Sequence, residues 1–272
     1  MESGEHEGEL KRLAAVEDAH IDIAGTALLL ASLDRPEVPL TRYHEHLDEI
    51  AAAMTAASAG EADRTEVLRQ VLVEGQRYTG DTLTYDDVQN ANLMRVIDRR
   101  KGLPVALGIL FIHAAESVGW NMVGLSFPYY FLVRLEDGAQ RVVLDPFKGG
   151  EVVEPGNMRD ILRRVSGGRL ELKPEFHQAV GKREVLMRLQ NNIKTRALQA
   201  RDPRRAAQIL KRMLLFAPAH ASLWRELSVV QASCGNLQDA IAAAEGYLEW
   251  AADEAQRHDA VSLLRGHKGM LN

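Results

Sequence analysis

Cysteine is almost absent from this chain of 272 residues: Cys234 stands alone, so no intrachain disulfide can form. Apolar runs of membrane-spanning length are missing as well. The most apolar early stretch, Ile23 to Leu33, is about half of what a bilayer span needs. A basic surplus is lacking too: Lys and Arg total 33 against 38 for Asp and Glu, a formal charge of -5. Nucleic-acid binding draws on a clustered basic face. The local basic runs, Arg99-Arg100-Lys101 and Arg201, Arg204 and Arg205, are flanked by acidic residues and read as solvated helix faces or ends. Where a secretory signal would be basic, the N-terminus carries Glu2, Glu5, Glu7 and Glu9. These absences point to a cytoplasmic protein without a nucleic-acid or membrane partner.

What is present is an ordinary globular composition, 46% apolar and 26% charged. The length holds one large domain or two modest ones. Apolar residues recur at helical spacing over Ala14 to Leu33, which Arg35-Pro36 stops, since proline lacks the amide hydrogen and disfavours helix before it. Pro39 to Ala57 repeats the pattern, with Leu40, Tyr43, Leu47, Ile50 and Met54 on one face. Thr65 to Gln76 and Asn90 to Arg100 are two further helices. The segment Pro104 to Ile112 differs, being apolar all round. A helix without a polar face is buried on all sides, and proline suits its first turn. After Gly119 the period becomes two, with strands at Met122–Phe127, Tyr130–Leu135 and Val142–Leu144, the last two joined by a turn at Glu136-Asp137-Gly138. Gly149-Gly150 and Pro155-Gly156 read as loops, Asn157 to Val165 as a short helix, and the stretch around Gly167-Gly168 and Pro174 as a linker.

From Gly181 onward the pattern is helical and repeats. Ala206, Leu210, Leu214 and Ala217 recur 34 residues later as Ala240, Ala244, Leu248 and Ala251. That is the tetratricopeptide period. Trp224 and Leu227 then fall on the Trp-x-x-Leu of the second repeat, and Pro218 closes the first. A final helix around Ala255 to Leu264 could cap the array.

The central block joins three strings: Arg99-Arg100-Lys101-Gly102-Leu103-Pro104-Val105-Ala106-Leu107, Phe127-Pro128-Tyr129-Tyr130-Phe131-Leu132-Val133-Arg134, and Leu144-Asp145-Pro146-Phe147-Lys148-Gly149-Gly150. With Asp22-Ile23-Ala24, the Tyr43 to Ala51 helix and Leu189-Gln190-Asn191-Asn192-Ile193-Lys194, this resembles the bacterial SirB-type proteins, described as regulators of SirC expression. The resemblance covers about residues 15 to 252 and implies a transglutaminase-like core followed by tetratricopeptide repeats. It also implies a Cys-His-Asp triad, with the cysteine in the first turn of a buried helix, where the helix dipole favours thiolate. Here that turn offers Pro104, Val105 and Ala106, and Tyr130 stands where the histidine would be. Only Asp145 keeps its role, so Pro104, Ala106, Tyr130 and Asp145 mark a vestigial triad region and no catalytic residue is expected.

No other residue replaces the lost pair. Cys234 reads as a small buried apolar side chain of the second repeat, and His113 as a satisfied core histidine. Tyr43-His44-Glu45-His46 lacks His-Glu-x-x-His spacing and reads as solvent-exposed helix, so no metal site is expected. Gly102-Leu103-Pro104 and Gly149-Gly150-Glu151 lack phosphate-binding spacing, and no cofactor is expected. In tetratricopeptide families the first helix of each repeat lines a groove that grips peptides. By this phasing the groove carries Arg188, Asn191 and Thr195, then Ser222 and Arg225, as a site for a protein or peptide partner. An equal alternative is that the core domain covers this surface.

The expected fold is α+β, mostly α: residues 1–174 form a helical cap with a transglutaminase-like domain and its small antiparallel sheet, and residues 175–272 form the repeats. The expected function is a non-catalytic regulatory or interaction protein. The alternative is an enzyme of transglutaminase or cysteine-protease descent that uses unconventional residues in the same cleft.

Overall fold

The computed structural model describes residues 2–60, 63–138 and 140–271. The chain forms two compact units: Glu17–Leu189, and the segments Met1–Val16 with Gln190–Asn272. Helix α1 (Glu2–Leu13) belongs to the second of these.

In the larger unit the helix expected from Ala14 begins only at α2 (Ile23–Ser32). Two carboxylates explain the shift. Asp22 accepts the Gly25 amide at 3.0 Å and so caps α2, while Asp18 opens a short 3-10 turn and caps a distant helix. Helix α3 (Thr41–Ala57) buries Tyr43, His46, Leu47, Ile50 and Met54 on one face. Helix α4 (Arg64–Arg69), capped by Asp63, continues as a wider π turn over Gln70–Gly75. Helix α5 (Leu93–Arg99) starts at the cap Asn92 and stops where Arg100 takes a left-handed φ of 57°. Strands β1 (Thr79–Gly80) and β2 (Lys101–Gly102) pair in parallel beside it.

Helix α6 (Pro104–Ser117) is buried along nearly its whole length, as an all-round apolar sequence requires. Strands β3 (Asn121–Leu125), β4 (Val133–Asp137), β5 (Gln140–Asp145), β6 (Glu151–Val152) and β7 (Ala179–Val180) form an antiparallel sheet in the order β6-β5-β4-β3-β7. The strand expected from Tyr130 begins three residues later, because Tyr129 turns through a φ of 60°. Glycine at 108 and 124 lets the Phe131 ring seat against both α6 and β3: a methyl on Gly124 would lie 2.7 Å from its Cζ, and one on Gly108 would collide with the ring. Pro155-Gly156, expected as a loop, instead opens helix α7 (Pro155–Ser166), with proline at the position where its missing N–H costs nothing. Helix α7 lays Met158, Ile161 and Leu162 on Leu125, Phe127, Leu132 and Val153.

Helix α8 (Lys182–Gln199) is capped across the sequence: Asp18 accepts the Lys182 amide at 2.7 Å and the Arg183 amide at 2.9 Å. The Lys182 ammonium also donates to the carbonyls of Ala19 and Ile21 and pairs with Glu116 at 2.8 Å. These ties, and the pairing of β7 with β3, hold residues 175–189 to the larger unit. The divide expected at 174/175 therefore lies at 189/190, and the first residues of the chain go with the repeats instead of the core.

The smaller unit continues with α9 (Pro203–Phe216), α10 (Ala221–Ser233), α11 (Leu237–Glu249) and α12 (Glu254–Leu271), with α10 packed on α9, α11 on α10 and α12 on α11. The 34-residue equivalents Ala206 and Ala240, Leu210 and Ala244, and Ala217 and Ala251 are all buried. Trp224 lies over Gly246, where a methyl would come within 2.6 Å of the indole, and its N–H donates to the Pro218 carbonyl at 2.8 Å. Helix α1 packs on α9, with Leu10 0% exposed. Among the described residues no helix is long and apolar enough to cross a membrane, and no cluster of potential metal ligands forms.

Candidate functional site

Strand β5 ends at Asp145, which is 0% exposed. Pro146 bends the chain into a short 3-10 turn, and Asp145 caps it: Oδ1 accepts the Phe147 amide at 3.1 Å and the Lys148 amide at 3.4 Å. Gly149 and Gly150 then take positive φ angles of 68° and 75°, which glycine adopts at no steric cost. The Tyr130 hydroxyl donates to the same carboxylate, 3.1 Å from each oxygen. Burial raises the Asp145 pKa above its ordinary 3.8, against the opposing Tyr130 bond, the two amides and the Lys148 charge. Burial also raises that of Tyr130, and the Asp145 charge adds to the effect. A phenol held protonated against a buried carboxyl ties the loop before β4 to the end of β5. The ring of Tyr130 meets Phe147 edge-on at 6.4 Å, and Phe147 meets Tyr85 at 5.6 Å. Beside the pair a polar cleft opens between β6 and α7.

The first turn of α6 is sealed. Leu103, Pro104, Val105, Ala106 and Leu107 are all buried, and none of their side chains carries a polar atom. His113, farther along the helix, is half-buried with Nε2 3.2 Å from the Leu47 carbonyl. Cys234, expected buried, is only half-buried, because it sits at the C-terminal cap of α10.

Two polar networks around α5 correct the sequence reading. The Arg99-Arg100 run is no solvated helix end. Arg99 donates to Asn90 at 2.8 Å and to the buried Asp81 at 2.5 Å, and Asp81 also accepts the Thr84 amide and hydroxyl. These bonds hold the Asp81 pKa below the usual carboxylate range, with the Thr84 hydroxyl contributing most. Arg100 donates to the Tyr78 hydroxyl at 2.7 Å and to Nε2 of His46 at 2.5 Å, so that nitrogen is the acceptor and Nδ1 donates to Glu49 at 3.1 Å. His46, expected on an exposed helix, is buried, and burial first, then the Arg100 charge, lowers its pKa. Its place beside Tyr43 and Ile50 at helical spacing was the available signal.

Residues 41–191 match the family model of the transglutaminase-like superfamily. The chain belongs to this superfamily. Residues 193–265 match a tetratricopeptide repeat model. The UPF0162 protein of Xylella fastidiosa strain Temecula1 is 27% identical over 267 residues, covering 94% of this chain and 92% of the relative. That of Vibrio cholerae is 29% identical over 202 residues, covering 73% and 74%. Among solved structures, a crystal structure of menin that reveals its binding site for Mixed Lineage Leukemia protein is 11% identical, with a TM-score of 0.39, over 90% of this chain and 68% of menin.

The transglutaminase-like unit thus brings Tyr130 and Asp145 into one hydrogen-bonded pair and closes Pro104 and Ala106 into packing. Arg188, expected to line the repeat groove, bonds within this unit. Arg188 donates to the carbonyls of Leu125 and Phe127, 3.1 Å each, and its burial lowers its pKa. In the repeat unit Asn191, Thr195, Ser222 and Arg225 are exposed. The Arg225 guanidinium is engaged by Asp259 at 2.5 Å, and the buried Lys194, one helical turn beyond Asn191, pairs with Glu226 at 2.5 Å.

Proposed function

We propose that this is a non-catalytic regulatory or protein-interaction protein, in which a degenerate transglutaminase-like core accompanies a tetratricopeptide repeat that grips a protein or peptide. The observation that carries this reading is the first turn of α6, buried and apolar where the superfamily's nucleophile would stand. The Tyr130–Asp145 tie, which holds both groups in a structural bond, supports it. The exposed polar face of Asn191, Thr195, Ser222 and Arg225 is the proposed gripping surface. A cytoplasmic setting fits the lone cysteine, and the resemblance to SirB-type proteins favours a regulatory role. The test pairs two measurements. Wild-type protein should capture a defined partner that the variant N191A/T195A/S222A/R225A does not, and neither should turn over amine-transfer or peptide-hydrolysis substrates. Turnover abolished by Y130F or D145N would establish the enzyme reading in its place.

A further inference from the structure

The cleft between β6 and α7 has a volume of about 170 Å³. That suits a small molecule. One wall is the α7 face carrying Asn157, Asp160, Ile161 and Arg164, at the i, i+3, i+4, i+7 spacing of one helical stripe. Asn157 and Arg164 lie about 10 Å apart along the axis. The other wall is the edge strand, with Glu151 and the 50%-exposed Val152. Asp145 and Lys148 complete the lining.

Two cations in this lining, Lys148 and Arg164, make no ion pair among the described residues. Both line the same cleft as Asp145. Asp145 is hydrogen-bonded to Tyr130 and two amides and forms no direct ion pair with either cation among the described residues. Two exposed carboxylates, Glu151 and Asp160, share the lining, and Asp160 is held only loosely by Arg163 at 3.7 Å. Between them Val152 and Ile161 offer apolar contact.

We propose that this cleft binds a small zwitterion, a carboxylate and an amine joined by a short aliphatic chain. Lys148 and the forked Arg164 guanidinium hold the carboxylate. Val152 and Ile161 pack the methylenes, while Glu151 and Asp160 take the amine and repel a second anionic group. A phosphate dianion or a dicarboxylate meets two carboxylates and is disfavoured. The site stands whether or not the repeats grip a partner.

The test is a set of four-carbon probes added to the full chain at constant ionic strength: 4-aminobutyrate, butyrate, succinate and 1,4-diaminobutane. Binding is followed by NMR shifts of Lys148, Val152, Ile161 and Arg164. 4-Aminobutyrate should saturate in the millimolar range or below, with butyrate weaker and the other two weakest. K148A and R164A, both at exposed side chains, should each weaken it about tenfold or more, and K148R should retain most of it. E151Q/D160N should raise succinate affinity relative to wild type. The proposal is overturned by unsaturable shifts up to about 100 mM 4-aminobutyrate, by succinate binding as tightly, or by saturation unchanged in K148A and R164A.

Discussion

Removing the Asp145 carboxyl tests whether this buried group serves the fold. In Asp145→Ala the turn over Pro146–Lys148 loses its cap, worth about 0.5–2 kcal/mol. The Tyr130 hydroxyl loses its acceptor in a half-buried setting, about 1–3 kcal/mol more. Against this, the wild type pays to bury a carboxylate. Its raised pKa means the folded chain holds a proton that the unfolded chain has released, so stability declines as pH rises from about 3.8 through the folded value. The net expectation near pH 7 is a loss of about 1–3 kcal/mol. Asp145→Asn keeps an oxygen for the two amides and should stay within about 1 kcal/mol of wild type while removing that pH dependence. Tyr130→Phe should cost about 1 kcal/mol alone and little on top of Asp145→Ala, since the pair shares one bond. Urea denaturation of wild type, the two single variants and the double variant gives the cycle. An Asp145→Ala midpoint equal to wild type, or strictly additive costs, would refute the structural role.

Three further outcomes are expected. Because burial and Arg100 depress the His46 pKa below 6.5, the unfolded chain takes up a proton first as pH falls. Stability should be full above about 6.5 and decline by up to about 1.4 kcal/mol per pH unit until folded His46 itself protonates, and His46→Gln should flatten that slope in melts from about pH 7.5 to 5. Leu10→Ala should cost the repeat unit about 2–4 kcal/mol by calorimetry, and a loss under about 0.5 would show that α1 does not cover α9. Cys234→Ser, or saturating alkylation, should shift stability by less than about 1 kcal/mol and leave partner capture intact, whereas lost capture by a folded protein would assign the thiol a function.

The sequence was legible wherever a single periodicity dominated. The all-round apolar stretch at Pro104 became the buried α6, and the 34-residue recurrence became the packed helices α9 to α12. Tyr130 and Asp145 stood out together because the family resemblance places both at triad positions, and the structure joins them by a hydrogen bond. What escaped was long-range polar chemistry. Asp18 looks like one acid in a helical pattern, and nothing local says that it caps a helix starting at Lys182. Arg99 and Arg100 look like surface charge until Asp81, Asn90, Tyr78 and His46 are folded around them. The acidic segment Glu2–Leu13 offers only Leu10 and Leu13 as large apolar residues, too few to announce its pairing with α9.

That pairing has a consequence for biosynthesis. Helix α1 leaves the ribosome well ahead of α9, which follows about 190 residues later, after the whole transglutaminase-like unit. At roughly 5–20 residues per second, α1 waits about 10–40 s for the surface it will cover. The intervening unit can fold in that interval as an insertion within the other, which replaces a long flexible loop by a compact body and lowers the entropy cost of closing α1 onto α9. A waiting helix with few apolar groups and several glutamates is poor bait for aggregation, and its weak intrinsic character is what late assembly requires.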